Sequence, residues 1–234
     1  MAWRKLLLGG VLALLICAHP ARAVINSFAT RTAFNSAVGA IDKTENFSSF
    51  ATDDIFRTAT VTANGFTLHQ EGVDQAFRNL VDAVPLQNAA DSNGTANASC
   101  YTNLAQAGTG ATNIRIAFPS LARGWGADFY NVEDAGAGEG LTMDVIVGGA
   151  TAATFAVPNH AAASGFFGVA ATAGEQIQSV LLRSTTLIAG ASGEGFGIDD
   201  AAMRSVPEPG MMIPICAGGL AVARRLRLRG SKRT

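Results

Sequence analysis

The sequence predicts an all-β protein, an antiparallel β-sandwich preceded by one short helix. Three observations carry this reading. Short runs of strand-forming residues recur along residues 113–203, separated by glycine-rich breaks and without a helical period between them. Asn64-Gly65 and Gly148-Gly149 each stand between two such runs, as tight hairpin turns do. Glycine and alanine are abundant and large aromatics few, which suits thin, alanine-lined strands better than a large α/β core. The absence of an internal repeat disfavours a solenoid.

The elements follow in chain order. Thr30 to Gly39 reads as the helix, with Phe34 and Val38 four apart on one face, Ser27 or Thr30 as cap and Gly39 as stop. Phe56 to Thr62 and Phe66 to His69 form a hairpin about Ala63-Asn64-Gly65. Residues 72–111 read as a long polar excursion, in which only Val73 to Val84 has the pattern of a short helix. Strands are then expected at Asn113 to Phe118, Gly124 to Tyr130, Leu141 to Val147, Ala152 to Val157, Gly165 to Val169, Ile177 to Ser184 and Gly195 to Met203. In the last of these, Phe196 and Ile198 are expected to point into the core.

Both ends differ from this body. Arg4 and Lys5 precede the apolar stretch Leu6 to Ala18, and Ala21-Arg22-Ala23 supplies small residues two apart. These are the parts of a secretory signal peptide, with cleavage after Ala23 leaving Val24 first. Cys17 follows Ile16, where lipoprotein processing needs a small residue. At the other end, Val206-Pro207-Glu208-Pro209 leads into the apolar run Gly210 to Ala223, and Arg224-Arg225-Leu226-Arg227-Leu228-Arg229 follows at once. Two prolines around one carboxylate can neither continue a helix nor join a ladder, so this stretch should be extended and accessible. The arginines hold the far end of an apolar segment on the cytoplasmic side. The apolar run would span roughly 21 Å of a hydrocarbon core of about 30 Å, and Pro214 interrupts it, which suits a transient anchor. A permanent anchor is the plainer alternative. The expected organisation is a signal peptide at 1–23, an exported domain at 24–205 and a tail at 206–229, with its apolar segment at 210–223.

Charge excludes one class of partner. The chain as a whole carries a formal charge of -1. Residues 24–205 hold eight basic and 17 acidic side chains, which leaves that domain at about −9. An acidic surface with scattered arginines is the opposite of the basic face that nucleic acid requires. Cys100 is the single cysteine of this domain, so no disulfide can form within it.

The tail resembles the PEP-CTERM sorting signal of Gram-negative bacterial proteins, in its order, spacing and terminal position. Tails of this kind are also labelled as the C-terminal domain of ice-binding proteins. The resemblance implies recognition of Pro207, Glu208, Pro209, Arg224 and Arg225 by an exosortase-type membrane protease. It further implies transient residence in the inner membrane and association with exopolysaccharide. The body has a second resemblance. A short helix ending in glycine, a Phe-centred strand, and the ending Phe196-Gly197-Ile198-Asp199-Asp200 look like jelly-roll domains, including carbohydrate-binding modules. In those modules a carboxylate of the last strand and a glutamate after a Phe of the first hold a structural Ca²⁺. Here Ser48 follows Phe47, and the resemblance places the corresponding ligands at Glu45, Asp199 and Asp200.

Candidate chemistry is sparse. The alternative for Asp199 and Asp200 is an acidic turn whose side chains cap backbone amides. Glu133-Asp134 and Glu139 read as a solvated loop, and Asp91-Ser92-Asn93-Gly94-Thr95 lacks the glycine position and distal glutamate of an EF-hand. A sugar platform needs aromatic faces. Trp125 and Tyr130, five apart on one strand, should face opposite ways, so that one is core. The Asn-x-Ser/Thr patterns at Asn46, Asn93 and Asn97 are chance matches in a bacterial protein, and Thr58, Thr60 and Thr62 make an ordinary β-surface row. There is no Gly-x-Ser-x-Gly elbow, no His-Glu-x-x-His and no phosphate loop, and His69 and His160 stand in no partner motif. The expectation is a non-catalytic exported protein. A carbohydrate-binding module and a carboxylate-pair hydrolase are the rival readings.

Overall fold

The computed structural model describes residues 24–52, 54–55, 59–72, 80–82, 99–103, 105–106, 110–130, 132, 140–160, 164–172, 174–184 and 195–206. The expected signal peptide, the apolar segment, Arg224 and Arg225, and Pro207 to Pro209 lie outside these residues. Among the described residues no helix is long and apolar enough to cross a membrane.

The architecture is antiparallel β with one short helix. Strand β1 (Ile25–Phe28) leads into helix α1 (Arg31–Val38), followed by β2 (Lys43–Glu45), β3 (Asp54–Ile55), β4 (Val61–Ala63) and β5 (Phe66–Gly72). Then come β6 (Leu80–Asp82), β7 (Ser99–Asn103), β8 (Ala105–Gln106) and the long β9 (Gly110–Tyr130). Strands β10 (Leu141–Val147), β11 (Ala150–Ala156), β12 (Gly165–Ala171), β13 (Ile177–Ser184) and β14 (Gly195–Ser205) complete it. The main hydrogen-bonded path runs β11-β10-β13-β9-β14-β7-β6-β3, with β5 and β12 also on β9, β1 on β12, and β2 on β14.

Strand β9 is the spine of this arrangement. Its first half pairs with β5 and β13, through Ile116↔Leu68 and Ile116↔Val180. Its second half pairs with β12 and β14, through Trp125↔Val169 and Trp125↔Met203. The change of partners has a visible cause. Ser179 faces Ala117 while Ile177, two residues earlier, faces Ala122, so residues 118–121 bulge out of the β13 pairing. Pro119, which has no N–H to give a ladder, sits in that bulge. The bulge also switches which residues point inward, from Ile114 and Ile116 before it to Trp125, Ala127 and Phe129 after it. One strand thus serves both sides of a single core, where the sequence suggested two separate strands.

Local signals explain the remaining elements. Thr30 caps α1, its hydroxyl accepting from the Ala33 N–H at 3.3 Å, and Gly39 ends it at φ 86°. Phe34 and Val38 are buried, as their spacing predicts. At the hairpin turns, Asn64 and Gly65 adopt φ 45° and 87° and Gly148 and Gly149 adopt φ 60° and 80°, the twist that matches paired strands. Two expectations for residues 72–111 require correction. Leu80–Asp82 is a strand on β7, not part of a helix, and Ser99–Asn103 is a strand between β6 and β14. Strands β1 and β2, unforeseen, are short additions to β12 and β14.

The core holds Phe66, Leu68, Trp125, Phe129, Met143, Val180, Phe196 and Ile198, all essentially inaccessible, so the inward placement of Phe196 and Ile198 is as expected. A second cluster forms where α1 lies on the outside of β9 and β12, with Phe34, Val38, Phe166 and Ala202. Burying Phe34 and Val38 contributes about 1.5–3 kcal/mol each. Three glycines make room for it. A Cβ on Gly124 would lie 2.6 Å from Val38, one on Gly126 2.5 Å from the Phe166 ring, and one on Gly168 3.0 Å from Phe34.

Candidate functional site

The packed helix carries Arg31 to the edge of that cluster. Its guanidinium lies 4.7 Å from the centre of the Phe166 ring. It also reaches Asp128 Oδ1 at 3.0 Å and donates to the Asp200 carbonyl at 2.8 Å. Because Phe34 packs on the same ring, at 5.4 Å between centroids, the helix fixes where this charge sits.

Four carboxylates gather around it from three strands. Asp128 on β9 stands opposite Asp199 on β14, and Glu45 on β2 stands opposite Ala201. The β14 register slips between Asp199 and Ala202, and Asp200 occupies the slip with φ 48°. Asp199 is fully buried, with its Oδ1 accepting from the Asp200 N–H at 2.7 Å. Burial pushes Asp199 up to about 7, with the charges of Asp200, Asp128 and Glu45 adding to it against the lowering effect of that hydrogen bond. Burial likewise raises Glu45, whose Oε1 accepts the Phe47 N–H. Asp128 is also raised, desolvation outweighing the attraction of Arg31. Burial, followed by the Asp199 and Asp128 charges, pushes Tyr130 up to about 12. Burial lowers His160, which Asp128 partly offsets.

Next to these groups the surface opens into a groove of about 770 Å³. It is lined by Arg31, Glu45 and Asp200, by Thr44 beside Glu45 on β2, and by the loop and turn residues Asn46, Ser49 and Asn64. Asn64 Nδ2 donates to the Thr44 carbonyl at 2.5 Å, and Asn46 Oδ1 accepts from the Ser48 hydroxyl at 2.7 Å. Phe47, Asn64 and Asp200 are the non-glycine residues with positive φ among those described. Two of them line the groove and the third adjoins Asn46.

The fold brings Glu45, Asp199 and Asp200 into one neighbourhood, but it does not arrange them as a metal site. Among the described residues no three His, Cys, Asp or Glu side chains group closely enough to hold an ion. Asp199 is turned to a backbone amide inside the protein, and Glu45 is turned to another, as acidic turn residues do. The residues present therefore do not fit the Ca²⁺ cage that the resemblance implied. The aromatic expectation also changes: Trp125 and Tyr130 are both buried, because the strand is covered on both faces. The exposed large apolar side chains among the described residues are Val24 and Leu121, neither of them aromatic. Thr60 and Thr62 are exposed, and Thr58, Asn93, Asn97, Glu133, Asp134 and Glu139 lie outside the described residues. Arg31, Asp128, His160 and Phe166 went unrecognised in the sequence. The one available signal was Arg31, which directly follows the helix cap.

No family model and no curated protein matches the chain. Among solved structures, a similar chain is that of the CBM51-2 and INT domains of ZmpB from Clostridium perfringens, determined in complex with GlcNAc. The identity is 11% and the TM-score 0.32, over 72% of this chain and 33% of that one, so the match spans about a third of its length. At that score the likeness supports no inference about fold or ligand.

Proposed function

We propose that this chain is an exported, non-catalytic protein of the cell envelope or extracellular matrix, with a jelly-roll-like β-sandwich as its body. In this reading the signal peptide is removed after Ala23. An exosortase-type membrane protease then acts on the tail that begins at Pro207, after transient residence in the inner membrane.

One observation supports it above others: Val24 and Val206, the residues next to the two processing signals in the sequence, are both tied into the sheet. The Val24 carbonyl accepts from the Thr172 N–H at 3.0 Å, and the Val206 N–H donates to the Leu121 carbonyl at 2.8 Å. Val24 directly follows Ala23, and Val206 directly precedes Pro207. Processing at either boundary would leave the core intact.

Replacing Pro207, Glu208 and Pro209 with alanine, followed by intact-mass measurement of the protein from its host, tests this. Normal signal-peptide removal with a retained C-terminus is the expected result. A triple variant trimmed and released like the wild type would end the sorting reading. The polar groove favours a second reading, a carbohydrate-binding role within the same matrix.

A further inference from the structure

We propose that the groove beside Arg31 and Asp200 binds an uncharged, hydroxyl-rich ligand, a short segment of neutral polysaccharide. This rests on the matrix reading above for its setting, and on the groove itself for its chemistry.

Among the described residues, no apolar side chain lines the groove. A lipid or an apolar peptide would strip water from carboxylates and amides and return no hydrogen bonds. A polyanion is disfavoured as well. Arg31 is already held by Asp128, so an incoming anion would meet the carboxylates of Glu45 and Asp200. A bare cation finds no converging set of side chains. Hydroxyl groups suit what remains, since each donates to a carboxylate or accepts from an amide, and neighbouring hydroxyls can do both.

Size and rigidity agree with this. About 770 Å³ lies within the range of small-ligand sites. Glu45 is 7% exposed yet lines the groove, so its carboxylate is positioned before any ligand arrives. Among the described residues, the non-glycine positions with left-handed backbone are Asn64 and Asp200 in the groove and Phe47 next to Asn46, where the surrounding structure must hold them. The turn at Gly148-Gly149, which does not line the groove, uses glycine for the same conformation.

Affinity electrophoresis tests the assignment, with protein purified from its host run through gels containing a β-glucan, a mannan, a galactan or, as the anionic comparison, alginate. Retardation by at least one neutral polymer is expected, unchanged by chelator. Asn64→Gly, which keeps the turn, and Ser49→Ala should each weaken it about tenfold, a loss of about 1.4 kcal/mol. Thr154→Ala on β11 should leave it unaltered. Three outcomes would overturn the proposal: no retardation by any neutral polymer, strongest retardation by alginate, or retardation abolished by chelator. Wild-type retardation of both groove variants, with melting temperatures unchanged, would equally displace the site. Binding that survives without C-terminal processing would remove the sorting reading alone, and processing without binding would remove the groove alone.

Discussion

Asp128 and Asp199 face each other across the β9–β14 pair, and Arg31 lies 3.0 Å from Asp128. Like charges directly opposite on neighbouring strands destabilise a sheet. The pair is tolerated because Asp199, fully buried, is held up to about 7 and carries a proton through the acidic range.

This sets the sign of the pH response. A carboxyl raised in the folded state binds its proton more tightly there than in the unfolded chain, where its value is about 3.9. Its contribution is therefore full below about pH 4 and is lost as pH rises through about 7. Glu45 and Asp128, also raised, act in the same direction. The melting temperature should rise as pH falls from 8 to 6. Asp199→Asn, which keeps the acceptor for the Asp200 amide, should flatten that slope and stabilise the protein at pH 8 by roughly 1–4 kcal/mol. A wild-type melting temperature independent of pH in this window would refute the assignment.

The glycine bed under α1 predicts a steric effect. Gly126→Ala places a methyl 2.5 Å from the Phe166 ring and 2.9 Å from the Gly168 backbone, which cannot both move away. A loss of about 1–3 kcal/mol is expected in chemical denaturation. Gly148→Ala meets no atom within 4 Å and bears only the backbone strain of its φ 60°, about 1 kcal/mol. Equal costs for the two would mean that β12 and its Phe166 ring do not press on β9 at Gly126.

Phe196→Ala should remove about 3–5 kcal/mol. The ring is inaccessible and lies 6.2 Å from Phe129, in the core that both halves of β9 enclose. An unchanged melting temperature would contradict the placement of β14.

Calcium removal should have no effect on stability. Asp199 and Glu45 are turned to backbone amides, and no three-residue cage is present among the described residues. Melts in calcium and in chelator are expected to coincide. A clear downward shift in chelator, abolished by Asp200→Asn, would restore the cation site.

Much of the fold was legible where a local signal decides the structure. Thr30 and Gly39 bounded the helix, the Asn64-Gly65 and Gly148-Gly149 turns marked hairpins, and Leu141–Val147 and Ile177–Ser184 matched their apolar runs. Strands β1 and β2 were not legible, because four and three residues show no period and their pairing depends on partners far along the chain. The continuity of β9 was hidden by Pro119, which reads as a break and acts as a bulge. The site divided in the same way. Glu45, Asp199 and Asp200 stood out as carboxylates near a recognisable strand. Arg31, Asp128 and Phe166 come together only through packing of α1 on β9 and β12, which no short window of sequence contains.

The place of β14 in the sheet also bears on when the protein can fold. This last strand is hydrogen bonded to β2, β7 and β9, so each of these three earlier strands lacks one neighbour until Ser205 has been made. Contacts so distant in sequence form slowly. In the growing chain these edges consequently stay unpaired while β5, β12 and β13 already have β9 to pair with. Under the proposed export, closure on the far side would follow the arrival of the last strand, coupling completion of the sheet to the end of transport.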